Sequence, residues 1–301
     1  MSVATIDTAD VRLRLERHGP SEAPVVLLVH GFPDHRGAWD PVVRRLATDH
    51  HVVSFDVRGA GGSSAPERTS GYRVRHLVDD LTAVLDEVAA DRRPVHLVGH
   101  DWGSIQCWAV LAREAEDERL TGRIASFTSI SGPGLELYGH FVRSGLRHGR
   151  VLTVGHQLAR SWYVAAFQVP RLPEVVLSRA ATRIARTLSS REGLDGADDG
   201  SHWGATFVRD AVNGINLYRA NLLRVLREPA TTTVPVQLVV PTKDRFVTPA
   251  LFADLERFAP NLRRVEVVAG HWVPRTQPDV VADAVRAFVA DLAQDEAVRA
   301  G

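Results

Sequence analysis

Apolar residues in this chain fall into short continuous runs, separated by longer stretches with helical spacing. Val11 to Glu16 alternates apolar and polar positions, the pattern of a half-buried strand. Pro24 to Val29 is continuously apolar and ends at His30-Gly31-Phe32-Pro33. Helical spacing over Trp39 to Leu46 leads into a second short apolar strand, His51 to Phe55, closed by a Gly- and Ser-rich loop from Asp56 to Ser64. Leu77, Leu81, Val84, Leu85 and Val88 share one face and predict an amphipathic helix over Leu77 to Val88. A buried strand from Pro94 to Val98, a helix from Ser104 onward and a strand from Ile124 to Ile130 continue the alternation. Apolar strands alternating with helices predict an α/β protein whose sheet is mostly parallel and covered by helices.

The rhythm breaks after Ser131-Gly132-Pro133-Gly134. From there to about Arg227 the chain reads as helices without strands, with a Gly- and Asp-rich loop expected from Glu192 to Gly204. Strands return at Val234 to Val240 and at Arg264 to Val268, followed by a helix from about Val280 to Leu292. The polar tail Gln294 to Gly301 is expected to fray. The pattern divides the chain into a core of residues 1–132 and 231–301 and a helical cap of residues 133–230. A helical insertion of this kind sits where it can close over a site at the strand ends. There is no internal repeat or low-complexity segment.

Composition narrows the function classes. The 301 residues, 45% hydrophobic and 24% charged, suffice for one large domain with a sizeable core. Formal net charge is zero, so the chain as a whole makes no electrostatic case for nucleic acid or an anionic membrane. Lys243 is the only lysine, and the abundance of Arg, Ala, Val and Asp reads as GC-rich codon bias, which points to a bacterium. The single cysteine, Cys107, excludes an internal disulfide and a cysteine-rich metal site. Met1 to Asp10 lacks the basic and apolar regions of a signal peptide. No apolar run reaches the ~18 residues of a membrane span. The expectation is a soluble, cytoplasmic protein.

The chemistry centres on Gly99-His100-Asp101-Trp102-Gly103, between a strand and a helix. A lone Asp at a strand end commonly caps the next helix. Small residues flanking it on both sides point instead to a nucleophile elbow, with a carboxylate where a serine hydrolase has a hydroxyl. Two further motifs follow in order: Pro241-Thr242-Lys243-Asp244 after one late strand and Gly270-His271-Trp272 after the next. Nucleophile, acid, base is the chain order of an α/β-hydrolase. Asp101 is thus the candidate nucleophile, His271 the base and Asp244 the acid that orients it. The turn at His30-Gly31-Phe32-Pro33 can present the Phe32 N–H, and with the Trp102 N–H it would form an oxyanion hole.

With these motifs the chain resembles the α/β-hydrolase-fold epoxide hydrolases, from about Thr8 to Ala290. That family shares its Asp nucleophile with haloalkane dehalogenases, and two cap tyrosines that hold the epoxide oxygen set it apart. Tyr163, in Trp162-Tyr163-Val164-Ala165-Ala166-Phe167-Gln168, and Tyr218, in Asn216-Leu217-Tyr218-Arg219-Ala220-Asn221, match them. Tyr72 and Tyr138 receive no catalytic role. The resemblance implies that a hydrophobic epoxide and water give a vicinal diol through an Asp101 alkyl ester, with no cofactor and no metal. It implies a pocket including His30, Pro33, Trp162, Phe167 and Trp272, made apolar also by Val169, Leu172 and Val176. It implies a monomer or homodimer without membrane insertion. Some bacterial relatives carry such a domain ahead of a short-chain dehydrogenase, and the polar end at Gly301 fits a complete protein or a cut domain. A dehalogenase would need two halide donors; the Trp102 indole could be one, Phe32 has none, and Trp162 and Trp203 lie in the cap. An ester or lactone hydrolase is the third reading, although Ser104 lies too late in the turn to replace Asp101.

Overall fold

The computed structural model of the protein describes residues 1–194 and 202–300. Its centre is an eight-stranded sheet. β1 (Ser2–Asp7) and β2 (Arg12–His18) pair antiparallel, and β2 pairs antiparallel with β4 (His51–Phe55). β3 (Val25–Val29), β5 (Val95–His100), β6 (Ile124–Ile130), β7 (Val236–Pro241) and β8 (Leu262–Val267) run parallel with β4. The order across the sheet is β1-β2-β4-β3-β5-β6-β7-β8. Strand residues alternate between two apolar layers because successive side chains point to opposite faces. Leu27, Val29, Leu97 and Leu238 pack in the layer that includes α2 (Val74–Val88) and α3 (Trp102–Glu114). Val26, Leu28, Val98 and Val239 pack in the layer that includes α1 (Asp40–Leu46) and α10 (Pro278–Ala300).

Two differences from the sequence reading sit at the ends. β1 escaped notice because it is an edge strand, where only Ala4 and Ile6 reach the core and Val3 is exposed. The tail expected to fray is helical through Ala300; Gln294, Glu296 and Ala297 are good helix formers and continue α10 without a break.

Between β6 and β7 the described residues are helical and contain no strand. α4 (Leu135–Arg147), α5 (Val151–Arg160), α6 (Trp162–Ala166), α7 (Leu172–Glu192) and α8 (Phe207–Asn221) follow one another. α7 ends at Gly193, which takes a left-handed conformation (φ 74°). Most of the expected Gly- and Asp-rich loop, residues 195–201, lies outside the described residues. α8 is seated on the core by polar bonds. The Gly61 N–H donates to Asp210 (3.0 Å), Asn213 donates to the Gly59 carbonyl (2.8 Å), and Asn221 accepts from the Val74 N–H (2.9 Å). The Gly-rich loop thereby acquires a reason: Gly59 has φ 84°, and a Cβ there would lie 2.4 Å from the Tyr72 hydroxyl. No helix among the described residues is long and apolar enough to cross a membrane.

Candidate active site

β5 delivers the chain to Asp101, which turns with φ 52° and ψ −122°, and α3 starts at the next residue. A non-glycine residue with such dihedrals stores roughly 1–3 kcal/mol of strain. The neighbouring glycines are required by proximity. A Cβ on Gly99 would lie 2.6 Å from the Ser104 Cα, and one on Gly103 2.0 Å from the Val29 carbonyl oxygen. The tight turn lifts the Asp101 carboxylate off the sheet at the N-terminus of α3. There, unpaired N–H groups favour negative charge. The Phe32 N–H donates to Asp101 Oδ1 at 2.8 Å. Gly31 permits this approach, since a Cβ there would fall 2.5 Å from the same oxygen. The Trp102 N–H is the first of the helix, one residue past the carboxylate.

Asp244 and His271 follow β7 and β8, and the parallel order brings both beside β5 and β6. His271 Nδ1–H donates to Asp244 Oδ2 at 2.9 Å, while Nε2 lies 3.6 Å from Asp101 Oδ2. Asp244 Oδ1 accepts from the Phe246 and Val247 N–H groups at 2.7 and 3.0 Å, which fixes its plane. Burial opposes a charge on His271, but the Asp244 and Asp101 carboxylates outweigh it and hold the imidazole well above its usual pKa. Burial likewise opposes ionisation of Asp244, and His271 with the two backbone donors brings its pKa below the ordinary value.

Tyr163 on α6 and Tyr218 on α8 meet above this group, their rings 5.8 Å apart and nearly perpendicular. Burial is the main cause holding both phenols far above their usual pKa, and the nearby Asp101 charge acts in the same direction. The Trp102 indole packs against the Tyr218 ring at 5.1 Å, nearly perpendicular to it. Phe32 and Phe167 lock the tyrosines in place. Phe167 lies 5.7 Å from Tyr163 and 5.0 Å from Tyr218, and Phe32 lies 5.4 Å from Tyr218. A Cβ on Gly214 of α8 would lie 2.4 Å from the Phe32 ring, so this glycine lets α8 settle on it.

A cavity of about 650 Å³ opens over Asp101, Trp102, Tyr163 and Tyr218. Its remaining wall is largely apolar, from Ile105, Leu135, Val142, Val164, Leu222 and Val247. Of the five residues expected in the pocket, Trp162 lines it, at the mouth, with 69% of its surface exposed. The other four support the site from behind. His30 is buried, donating from Nδ1 to the Gly31 carbonyl and accepting the Val57 N–H at 3.0 Å on Nε2. Trp272 is buried beside His271, and its indole N–H donates to Asp34. Phe167 backs the tyrosines, and Pro33 continues the turn that presents Phe32; neither borders the cavity. Val169, Leu172 and Val176, read as apolar lining, are exposed on the outside of the insertion. Helical spacing marks apolar positions but does not say which of two apolar surfaces each one serves.

Two residues went unread in the sequence. Phe246 packs 5.0 Å from His271 and 5.9 Å from Tyr163, a bridge between His271 and the insertion. Glu192, at the end of α7, is buried and accepts the backbone N–H of His271 at 2.8 Å. Phe246 follows Asp244 by two residues, a spacing that could have marked it; Glu192 lies 79 residues from its partner and leaves no local signal.

The sequence profile of the α/β hydrolase fold matches residues 24–276. A Mycobacterium tuberculosis protein named probable oxidoreductase EphD is 38% identical over 299 residues, covering 96% of this chain and 49% of that protein. The chain thus spans about half the length of the EphD relatives it matches. Epoxide hydrolase A of Mycobacterium tuberculosis is 29% identical, with 95% of this chain and 97% of that protein aligned. In three dimensions the chain is similar to a Bacillus megaterium epoxide hydrolase solved with an inhibitor. The TM-score is 0.79 at 20% identity, over 95% of this chain and 100% of that one. The match over most of its length, with the sheet order and the elbow, shows that the chain belongs to the α/β-hydrolase fold family, among relatives named as epoxide hydrolases.

Proposed function

We propose that the protein hydrolyses hydrophobic epoxides to vicinal diols through a covalent ester on Asp101, with the helical insertion serving as a cap. The observation that carries this reading is the pair of tyrosines, Tyr163 and Tyr218, packed together over the Asp101 carboxylate in an apolar cavity. Asp101 attacks one ring carbon, the C–O bond of the strained ring breaks, and a tyrosine hydroxyl donates its proton to the departing oxygen. Raised pKa values keep both phenols protonated until that moment. Water then attacks the Asp101 ester carbonyl while His271 Nε2 takes its proton. The acyl C–O bond breaks, that proton passes to the diol oxygen, and the proton left on the Asp101 carboxyl restores the tyrosinate to a phenol. During this step the carbonyl oxygen of Asp101 carries the charge, facing the Phe32 N–H and the positive end of α3.

A halide leaving group needs N–H donors and no proton. Phe32 supplies no side-chain donor and Trp203 gives its indole N–H to Ser189 at 2.8 Å, which leaves the Trp102 indole, packed 5.1 Å from the Tyr218 ring, and Trp162 at the exposed mouth. Ester hydrolysis through Ser104 is disfavoured because its hydroxyl is buried and donates to the Gly132 carbonyl at 2.5 Å. Incubation with matched panels of racemic epoxides and 1-chloroalkanes tests the reading. Diol should form without chloride release; chloride release with intact epoxides would reassign the enzyme.

The charges predict how the second step depends on pH. In the resting protein His271 is held protonated by two carboxylates. Esterification removes the Asp101 charge, so His271 loses one of them and its pKa drops towards the range where it can act as a base. Hydrolysis of the preformed ester should therefore rise with pH and level off once His271 is neutral. The midpoint should lie below the His271 pKa obtained by NMR titration of the free protein. A midpoint at or above the free-protein value would show that the Asp101 charge does not govern His271.

A further inference from the structure

We propose that Glu192 is a positioning residue for the base, through which the helical insertion holds the backbone of His271 for the ester-hydrolysis step. The inference rests on the reading of Asp101 and His271 given above. Glu192 is the last residue of α7, and its side chain is 2% exposed. A carboxylate is disfavoured at a helix C-terminus, where the dipole is negative, and disfavoured again by burial. Its location therefore calls for a specific partner, and the partner is the backbone N–H of His271, which donates to Oε2 at 2.8 Å. Oε1 lies 3.6 Å from the Arg245 guanidinium, which is largely exposed and supplies the nearby positive charge.

A second observation supports the fit. Gly270 leaves the space the carboxylate fills, because a Cβ on that residue would lie 2.4 Å from Glu192 Oε2. The glycine before the base thus has a steric reason, and it concerns the insertion. On its other side, the His271 carbonyl accepts a hydrogen bond from His100 Nε2 at 3.0 Å. Burial lowers the His100 pKa to about 4 and keeps the ring neutral, and the carbonyl, which can only accept, places the proton on Nε2. The peptide groups flanking the His271 Cα are held from both sides, one by the core and one by the insertion. Nε2 lies 3.6 Å from Asp101 Oδ2, so the attacking water must sit beside this pair, within reach of both Nε2 and the ester carbon, and a small backbone shift of His271 falls directly on the rate of that step.

The two chemical steps separate this role from a general loss of stability. Alkylation uses Asp101 and the tyrosines and does not require His271 as a base. Rapid mixing with an excess of a hydrophobic epoxide should give alkylation in Glu192→Ala within about two-fold of wild type. Hydrolysis of the ester should be slower by roughly ten- to a hundred-fold, so ester accumulates. Glu192→Met, which fills the space without an acceptor, should behave like Glu192→Ala even if the smaller side chain destabilises the fold. Glu192→Gln keeps an acceptor oxygen and should recover hydrolysis to within a few-fold of wild type. Gly270→Ala, whose Cβ takes the place of the carboxylate, should reproduce the hydrolysis defect. Equal losses in both steps, no loss in either, or a Gln variant no better than Met would each overturn the proposal. If no ester forms even in His271→Ala, the Asp101 reading fails and this proposal falls with it. If the ester forms and the Glu192 variants hydrolyse it at the wild-type rate, this proposal alone is lost.

Discussion

Replacing His271 with Ala is expected to stop the reaction at its midpoint. The variant should consume one equivalent of epoxide, gain the mass of that epoxide, and release diol at a rate reduced by about 10²–10⁴. The reason lies in how the two carboxylates divide the work. Asp101 Oδ2 faces the cavity and needs no base to attack carbon. Water at the same place does need one, and His271 Nε2, oriented through Nδ1 by Asp244 at 2.9 Å, is placed to serve. Digestion and mass mapping should put the adduct on Asp101, and Asp101→Asn should form none. An adduct in His271→Ala from 1-chloroalkanes but not from epoxides would move the enzyme to the dehalogenases. An adduct on another residue would remove Asp101 from the mechanism altogether.

The combined substitution Tyr163→Phe and Tyr218→Phe should slow alkylation at least as much as loss of one strong donor, about 10²–10³-fold, and leave hydrolysis of ester already formed nearly unchanged. Phe preserves the ring contacts with Phe32 and Phe167, so the packing around α6 and α8 is retained. Only the hydrogen bonds to the opening oxygen and the proton supply disappear. The single variants should sum to a different loss than the double, because the two rings pack 5.8 Å apart and both hydroxyls serve the same opening oxygen. Stopped-flow alkylation rates at saturating epoxide decide the matter. A double variant that alkylates at the wild-type rate would leave the cap tyrosines as packing residues.

The contrast between core and insertion shows where sequence reasoning holds. His51–Phe55 and Ile124–Ile130 are legible in the sequence because a strand buried on both faces carries a short, mostly apolar segment. β1 carries its pattern on two small half-buried residues, so it was missed. In the insertion, apolar residues serve the cavity, the contact with the core and the outer surface alike. Val142 and Val164 line the cavity, while Val169 and Val176 point outward at similar hydrophobicity. Phe32 shows a related limit: its importance was first a missing side-chain donor, whereas its ring proves to hold Tyr218 and the seat of α8.

By itself, the sequence determined the alternation of buried strands and helices, the break at Gly132, and the order of Asp101, Asp244 and His271. These are local properties: apolar period, turn chemistry at the elbow glycines, and residue type directly after a strand. Tertiary structure alone decided which side chains reach the cavity, that His30 and Trp272 stand behind the site, and that Glu192 accepts the backbone N–H of His271. Those facts depend on residues far apart in the chain meeting at a few ångströms, as Phe32 meets Asp101 across 69 positions and Glu192 meets His271 across 79. Such contacts arise only when the sheet order and the seating of the insertion fix the distances, and no periodicity along the chain records them.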